Sequence, residues 1–321
     1  MKLLVTGGLG FIGSNFIRYW FGKHPKDAII NLDKVTYAAD QHNVLGLEKY
    51  NYDFVKGDIA DSKTVFKLSK NVDAIINFAA ESHVDNSIRN SSSFVKSNII
   101  GVHNLLEAVR RYEIRFHQVS TDEVYGSLPL NSKLKFNENS RYNPRNPYSA
   151  TKAAADHLVN AYFNTYKLPV TISNCSNNYG PNQHPEKLIP KTIMNAVREI
   201  PIPVYGNGLQ VRDWIYVEDH CSALERIIKK GVYGETYLVS ANNERHNINV
   251  IKNILKELNK SETLICFVKD RPGHDVRYAI DARKIEKELG WKPKIKFNRG
   301  LGLTLKHYIK NMDYYIKKVP K

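Results

Sequence analysis

The chain has 321 residues, 42% hydrophobic and 25% charged, and its 47 basic against 32 acidic side chains give a formal net charge of +15. This length can bury a large core as two domains or as one domain with a lobe, and the dispersed basic residues read as a field that draws in a diphosphate, or as a thermophile-like lysine-rich surface, rather than as a nucleic-acid stripe. No apolar run reaches the ~18 residues of a membrane span, and Cys175, Cys221 and Cys266 have no CxxC spacing, so a disulfide framework and a cysteine zinc site are excluded and no metal is expected.

The first predicted strand runs from Lys2 to Thr6. It leaves no room for a signal peptide, and the expected location is the cytoplasm. The strand enters Val5-Thr6-Gly7-Gly8-Leu9-Gly10-Phe11-Ile12-Gly13, followed by a helix from Ile12 to Phe21. With glycines counted at 8, 10 and 13 or at 7, 10 and 13, this loop permits a tight turn that brings backbone against a pyrophosphate at a helix N-terminus. A second strand, Ala28 to Leu32, ends at Asp33, twenty residues past Gly13, where a carboxylate can accept hydrogen bonds from an adenosine ribose. Lys34 could attract the extra phosphate of NADP, whereas Asp33 would repel it and hydrogen-bond an unmodified ribose.

Further strands are expected at Tyr52 to Lys56, Ala74 to Phe78 and Arg115 to Ser120, with helical patterns at Thr64 to Ser69 and Val95 to Arg111. This alternation predicts an α/β fold, a Rossmann-like doubly wound parallel sheet with ligands at the strand-end edge. Pro147 opens a helix through Tyr166, Pro169 to Ser173 returns to the sheet, and Thr236 to Ser240 returns to it later. After Cys175 the texture turns irregular, with helices expected around Ile189 to Arg198, Ile248 to Leu258, Ala282 to Leu289 and Gly300 to Ile316. The expected division is residues 1–176, with 215–242 returning, as the dinucleotide-binding domain, and 177–214 with 243–321 as a smaller, discontinuous substrate-binding lobe.

Two strand ends carry candidate cofactor contacts. Asp58-Ile59 offers an acceptor for an adenine amino group, and Phe78-Ala79-Ala80 offers small residues past which a cofactor backbone can run; each also reads as a turn or cap. Tyr148 and Lys152, four apart on a helix, share one face, so an ammonium can favour phenolate character and reach a nicotinamide ribose. Such a phenolate takes a proton from a sugar hydroxyl as hydride leaves carbon. At the end of the strand before it, Ser120-Thr121-Asp122-Glu123 adds an alcohol-binding hydroxyl and two carboxylates that can act as an acid/base pair. The plain alternative for the pair is a solvated acidic turn.

Together with Leu32-Asp33-Lys34-Val35-Thr36-Tyr37-Ala38, Phe78 to Asp85, Asn174 to Pro181, Arg212 to His220 and Asp270 to Asp275, these motifs span nearly the whole chain. It resembles the dTDP-glucose 4,6-dehydratases, nucleotide-sugar enzymes of the extended short-chain dehydrogenase/reductase family. The Thr-Asp-Glu triplet and the Asp270 segment are the narrowest part of the likeness. The resemblance implies a lyase that oxidises dTDP-glucose at C4, eliminates water across C5 and C6, and returns hydride to C6, giving dTDP-4-dehydro-6-deoxyglucose for deoxysugars such as dTDP-rhamnose. It assigns Thr121, Asp122, Glu123, Tyr148 and Lys152 to catalysis, with Glu123 the base at C5 and Asp122 the acid at C6. It implies one tightly held NAD per subunit, regenerated in each turnover, touching also Thr36, Ser82, Asn98, Val119 and Asn178.

For the substrate the resemblance implies Ser82, Asn177, Lys187, Leu188, Arg212, Asn247, Arg271, His274 and Tyr278, the arginines suiting a diphosphate. Pro203-Val204-Tyr205 reads either as a border of the nucleobase or as an edge strand, and His83 as a cofactor-site or packing residue rather than a metal ligand. The resemblance also implies a homodimer. The alternatives are a nucleotide-sugar 4-epimerase, a CDP- or UDP-sugar dehydratase and, from another class, a noncatalytic nucleotide sensor or nucleic-acid binder. Dispersed charge and the intact Tyr148, Lys152, Asp122 and Glu123 argue against the last two.

Overall fold

Continuous apolar runs mark the central strands, because a parallel strand with helices on both faces has no solvent side. Leu3, Leu4 and Val5 are fully buried, and so are Ala74, Ile75 and Ile76. The protein is described here by a computed structural model covering residues 1–270 and 272–318. Its strands in chain order are β1 (Lys2–Thr6), β2 (Ala28–Asp33), β3 (Asn51–Lys56), β4 (Ala74–Asn77), β5 (Arg115–Thr121) and β6 (Val170–Cys175). They continue as β7 (Asn177–Tyr179), β8 (Ile202–Tyr205), β9 (Val211–Tyr216), β10 (Thr236–Val239), β11 (Glu244–His246) and β12 (Ile265–Val268).

Seven of these form one parallel sheet in the order β10-β6-β5-β4-β1-β2-β3. On one face lie the helices Ser62–Ser69, Gly101–Tyr112 and Pro147–Tyr166, which bury Val65, Leu105 and Val159 against Leu4, Ile75 and Phe116. On the other, Phe11–Lys23 and Val217–Lys230 bury Phe16, Trp20 and Leu224 against Leu3, Val5 and Ile76. Strand order reverses between β1 and β4, and the crevice at their carboxyl ends is where a doubly wound sheet takes its ligand. At the β10 edge the Glu138 carboxylate accepts from Leu238 N (3.2 Å), which covers an otherwise open donor.

A second group of elements lies beyond β6. Strand β9 pairs in parallel with β7 and antiparallel with β11, while β8 and β12 form a two-stranded parallel unit. The helices Leu188–Val197, Asn247–Glu257 and Phe297–Lys310 pack over Tyr179, Trp214 and Tyr308. Among the described residues no helix is long and apolar enough to cross a membrane.

Strands β9, β11 and β12 and the helix Val84–Arg89 were not expected, and three further helical regions depart from expectation. The helix expected over Gly300 to Ile316 is two, Phe297–Lys310 and Met312–Ile316, broken where Asn311 leaves helical geometry and its N–H turns back to the His307 carbonyl. The helix expected from Val95 starts at Ser92 and passes through a π-helical turn, Val95–Ile100, that directs Asn98 inward. The Val217–Lys230 helix was not foreseen; Glu218 and Asp219 open it favourably for the helix dipole, but they hide the start of its apolar face.

The final turn reaches back to the first strands. Tyr314 Oη bonds both carboxylate oxygens of Asp40 (2.6 and 2.7 Å), Lys318 pairs with the same carboxylate, and His42 stacks on Tyr314 with ring centroids 4.3 Å apart.

Candidate active site

The turn after β1 is closed by steric demand. Gly7 has φ +71°, and a Cβ there would lie 2.6 Å from Ala79 N at the end of β4, so only glycine fits. A Cβ at Gly13 would collide with the Gly7 carbonyl. Gly8 faces away: its N–H donates to Asn31 Oδ1 (3.0 Å), which settles the cleft register as Gly7, Gly10 and Gly13. The Phe11–Lys23 helix has no side-chain cap at Gly10, leaving its first N–H groups for an anion such as a pyrophosphate.

Asp33 ends β2 buried, accepting from Leu9 N (2.9 Å) and Val35 N (2.8 Å). Burial pushes its carboxyl up against those two hydrogen bonds. Val35 sits at φ +60°, a strained position for a β-branched residue, and in this turn Lys34 pairs with Asp58 (2.9 Å). The lysine expected as a possible phosphate partner is thus held by a carboxylate of the same cleft, and Asp58 also caps its turn through Ala60 N (2.9 Å).

The catalytic candidates come from β5, the 3₁₀ turn Asp122–Tyr125 and the Pro147–Tyr166 helix. Asn146 and Ser149 form a capping box and Pro147 occupies the first turn, which fixes where the helix starts and therefore where Tyr148 and Lys152 project. Both are buried on one helix face. Burial first, then the charge of Glu123, holds the Tyr148 phenol protonated well above its ordinary range. Lys152 Nζ donates to the Val119 carbonyl (2.8 Å), and burial pushes its ammonium downward. Asp122 is 2% exposed; burial and then Glu123 push its carboxyl well up, toward the form that can donate a proton. Thr121 Oγ1 caps the turn by accepting from Glu123 N (3.3 Å).

Two cavities meet here. The first, along the strand ends, is lined by Gly7, Gly10, Phe11, Ile12, Gly13, Asp33, Lys34, Thr36, Asp58, Ile59, Phe78, Ala79, Ala80, Val119, Thr121, Asp122, Tyr148, Lys152 and Asn178. The second lies between the sheet and the later elements and is lined by Leu188, Pro203, Tyr205, Arg212, Asn247, His274 and Tyr278. Ser82, Glu123, Asn177, Glu186 and Lys187 line both. Arg212 is buried with its guanidinium 4.2 Å over the Tyr278 ring, and two of its N–H groups bond the Val211 and Asp275 carbonyls (2.8 and 2.9 Å). Among the described residues, Asp122 Oδ2, Asn177 Oδ1 and Asn247 Oδ1 are buried without a hydrogen-bond partner, and all three residues line these cavities, as expected where a polar ligand completes the bonding.

Asn98 is not brought to the cleft wall. Its amide accepts from Glu81 N (2.9 Å) and donates to the Glu81 carbonyl (3.1 Å) and Thr151 Oγ1 (3.0 Å). Arg271 lies outside the described residues. His83 accepts from Asn86 N (3.4 Å) at the start of the Val84–Arg89 helix and approaches Glu186 within 3.4 Å. Glu186 itself was not singled out from the sequence, nor were Gln183, Asn146 and Gln210, which also line the cavities. Glu186 stands beside the predicted Lys187, but only the folded chain brings Tyr37 Oη within 3.3 Å of it. Among the described residues no group of three His, Cys, Asp or Glu side chains could hold a metal ion.

A glycine-cradled strand-end cleft beside a buried Tyr–Lys pair defines a dinucleotide-dependent oxidoreductase fold of the short-chain dehydrogenase type. A family model described as GDP-mannose 4,6 dehydratase matches residues 4–304. The chain is 49% identical to the dTDP-glucose 4,6-dehydratase of Haemophilus influenzae over 97% of this chain and 98% of that one. It is also similar to the crystal structure of DesIV, a dTDP-glucose 4,6-dehydratase from Streptomyces venezuelae with NAD and TYD bound, with a TM-score of 0.96 and 40% identity over 99% of this chain and 100% of that one. A Thermus thermophilus UDP-glucose 4-epimerase in complex with NAD is similar at 26% identity, with a TM-score of 0.89 over 96% of this chain and 99% of that one. The chain belongs to the dTDP-glucose 4,6-dehydratase family of extended short-chain dehydrogenase/reductases.

Proposed function

We infer that the enzyme converts dTDP-glucose to dTDP-4-dehydro-6-deoxyglucose and water, with NAD as a redox cofactor that each turnover restores. The observation that supports this reading is that Glu123 lines both cavities while its neighbour Asp122 lines the first, which suits an acid/base pair working between a sugar held from one side and a cofactor held from the other. NAD, when bound, supplies the acceptor for the C4 hydride and gives it back at C6.

The chain's own residues then divide the proton work. Tyr148 takes the proton of the C4 hydroxyl, with Thr121 holding that hydroxyl and Lys152 supporting the phenolate. The C4 ketone acidifies C5, Glu123 removes the C5 proton, and Asp122, whose carboxyl burial and Glu123 push up, protonates the departing C6 hydroxyl. A proton returns to C5 as C6 is reduced, so the sum is loss of one water. Arg212, Lys187, His274 and Arg271 are assigned to the diphosphate side, Asn177, Asn247 and Ser82 to polar contacts, and Pro203 with Tyr205 to the base.

The test is a panel of nucleotide sugars followed by product mass. We expect a dTDP-glucose product lighter by one water with no stoichiometric build-up of NADH. An isomer of unchanged mass would put an epimerase in its place, and dehydration of a CDP- or UDP-sugar alone would overturn the base assignment.

We further propose two lobes divided as residues 1–176 with 215–242 and 177–214 with 243–321, and a cytoplasmic homodimer with one NAD per subunit. The dimer rests on family resemblance and on the exposed Ile88, Val95 and Ile100 on neighbouring helical segments. Light scattering should give about twice the 36.8 kDa chain mass; a single-chain mass at assay concentration would refute it.

A further inference from the structure

A fully buried carboxylate beside the reaction centre has been given no catalytic step. Asp156 is fully buried on the Pro147–Tyr166 helix, four residues after Lys152 on the same inner face. Its Oδ2 accepts from Ser120 Oγ (2.7 Å), Asn174 Nδ2 (3.1 Å) and Tyr142 Oη (3.2 Å). The same Asn174 Nδ2 donates to the Thr121 carbonyl (3.2 Å), and Lys152 Nζ holds the Val119 carbonyl (2.8 Å). Three successive residues at the end of β5 are thereby tied to one helix face and its carboxylate.

We propose that Asp156 is a positioning residue for the oxidation step: a buried counterion that keeps Lys152 charged and a brace that holds Thr121 in register with Tyr148. An ammonium buried without a paired charge sheds its proton rather than remain ionised. The hydrogen-bond acceptor at Lys152 Nζ is the neutral Val119 carbonyl, and the carboxylate that acts on its charge is Asp156, four residues on along the helix. Residues four apart on a helix are neighbours. Burial pushes Lys152 down while Asp156 and then Cys175 hold it up; burial pushes Asp156 up while Lys152 and the three donors hold it down.

The other titratable groups around this pair are accounted for element by element. Tyr142 faces Asp156 from the segment before the helix and Tyr125 from the 3₁₀ turn, both phenols held protonated by burial and then by that carboxylate. Cys175 faces Lys152 from β6, its thiol pushed up to about 12 by burial and by Asp122. Tyr148 precedes Lys152 on the same helix. From the Gly101–Tyr112 helix, His103 and Glu107 meet Tyr162 further along. Tyr125, Tyr142, Tyr148 and Cys175 are all pushed toward their neutral forms, and Glu107 is engaged by Tyr162 instead.

The proposal rests on the assignment of Tyr148 and Lys152 to oxidation, and its test is the pH profile of Asp156→Asn. Asparagine keeps the shape and an acceptor oxygen but removes the charge. The expected result is an unchanged KM and NAD content, kcat lowered at least tenfold above neutral pH, and an alkaline limb moved down by about one pH unit or more, the size of effect an opposite charge has at close range. A profile that superimposes on the wild type, at any level of activity, overturns the proposal. Should Asp156→Asn not fold, Tyr142→Phe asks the same question: one donor fewer raises the Asp156 pKa, so the acid limb of kcat moves up by about half a unit, and an unmoved acid limb overturns the proposal. If Tyr148→Phe were fully active, the oxidation assignment itself would be wrong; if Tyr148→Phe is inactive and the Asp156→Asn profile is unmoved, only the role of Asp156 falls.

Discussion

Replacing Glu123 with glutamine yields an enzyme that oxidises its substrate and stops there. Glutamine fills the same space where the cofactor and substrate cavities meet, but its amide cannot take the C5 proton. A positioned general base contributes roughly 10²- to 10⁴-fold, and dehydration should fall by about that factor. The first half of the reaction should survive, for a reason visible in the charges. Glu123 is among the groups that push both the Tyr148 phenol and the Asp122 carboxyl up, so deleting its charge eases ionisation of the phenol that starts the oxidation. Mixing this variant with dTDP-glucose should therefore produce reduced-nicotinamide absorbance that persists, a 4-keto sugar still carrying its C6 hydroxyl, and no exchange of the C5 hydrogen with deuterated solvent. Wild-type dehydration in Glu123→Gln would remove it as the base.

Tyr148→Phe should fail earlier. The variant keeps the ring that meets Phe94 edge-on at 6.4 Å, so the helix and both cavities should persist, and KM should change little. Without the phenol the C4 hydroxyl has no acceptor for its proton, and the oxidation rate should drop by roughly 10²- to 10⁴-fold. Burial and Glu123 hold the wild-type phenol protonated; its base form grows only as pH rises, so wild-type oxidation in a single turnover should speed up with pH. The residual rate of the phenylalanine variant should lose that slope. A variant that still reduces its cofactor at the wild-type rate would show that another group takes the proton.

Paired, the two variants separate the half-reactions: one accumulates reduced cofactor, the other never forms it. The difference rests on residues twenty-five positions apart in sequence that share one buried site.

What could be read from the chain before folding was whatever short-range geometry specifies. A strand, a glycine turn and a helix occupy consecutive residues, so Gly7, Gly10 and Gly13 declare themselves, as do Asp33 at the next strand end and Tyr148 with Lys152 at helical spacing. Which glycine register lines the cleft was not decidable locally, because it depends on Ala79 and Asn31, residues from other strands. The substrate side was legible only through resemblance. Arg212 stacks on Tyr278, and Glu186 joins His83 and Tyr37, contacts set by how later segments pack and not by spacing. Strands β7 and β11 have three residues each, too few for a period to show. Asn98, placed at the cofactor by likeness, shows how local geometry hides from spacing: it sits in a π-helical turn with its amide bonded to Glu81 and Thr151.

The bond from Tyr314 to Asp40 joins residues 274 positions apart. Asp40 follows Ala38 and Ala39, which line the cofactor cleft, and its own N–H is held by the Leu9 carbonyl inside the glycine turn. The helical turn that carries Tyr314 is therefore a fastener on the loop that borders that cleft, and a segment remote in sequence shares a mechanical task with a glycine turn whose motif it leaves untouched.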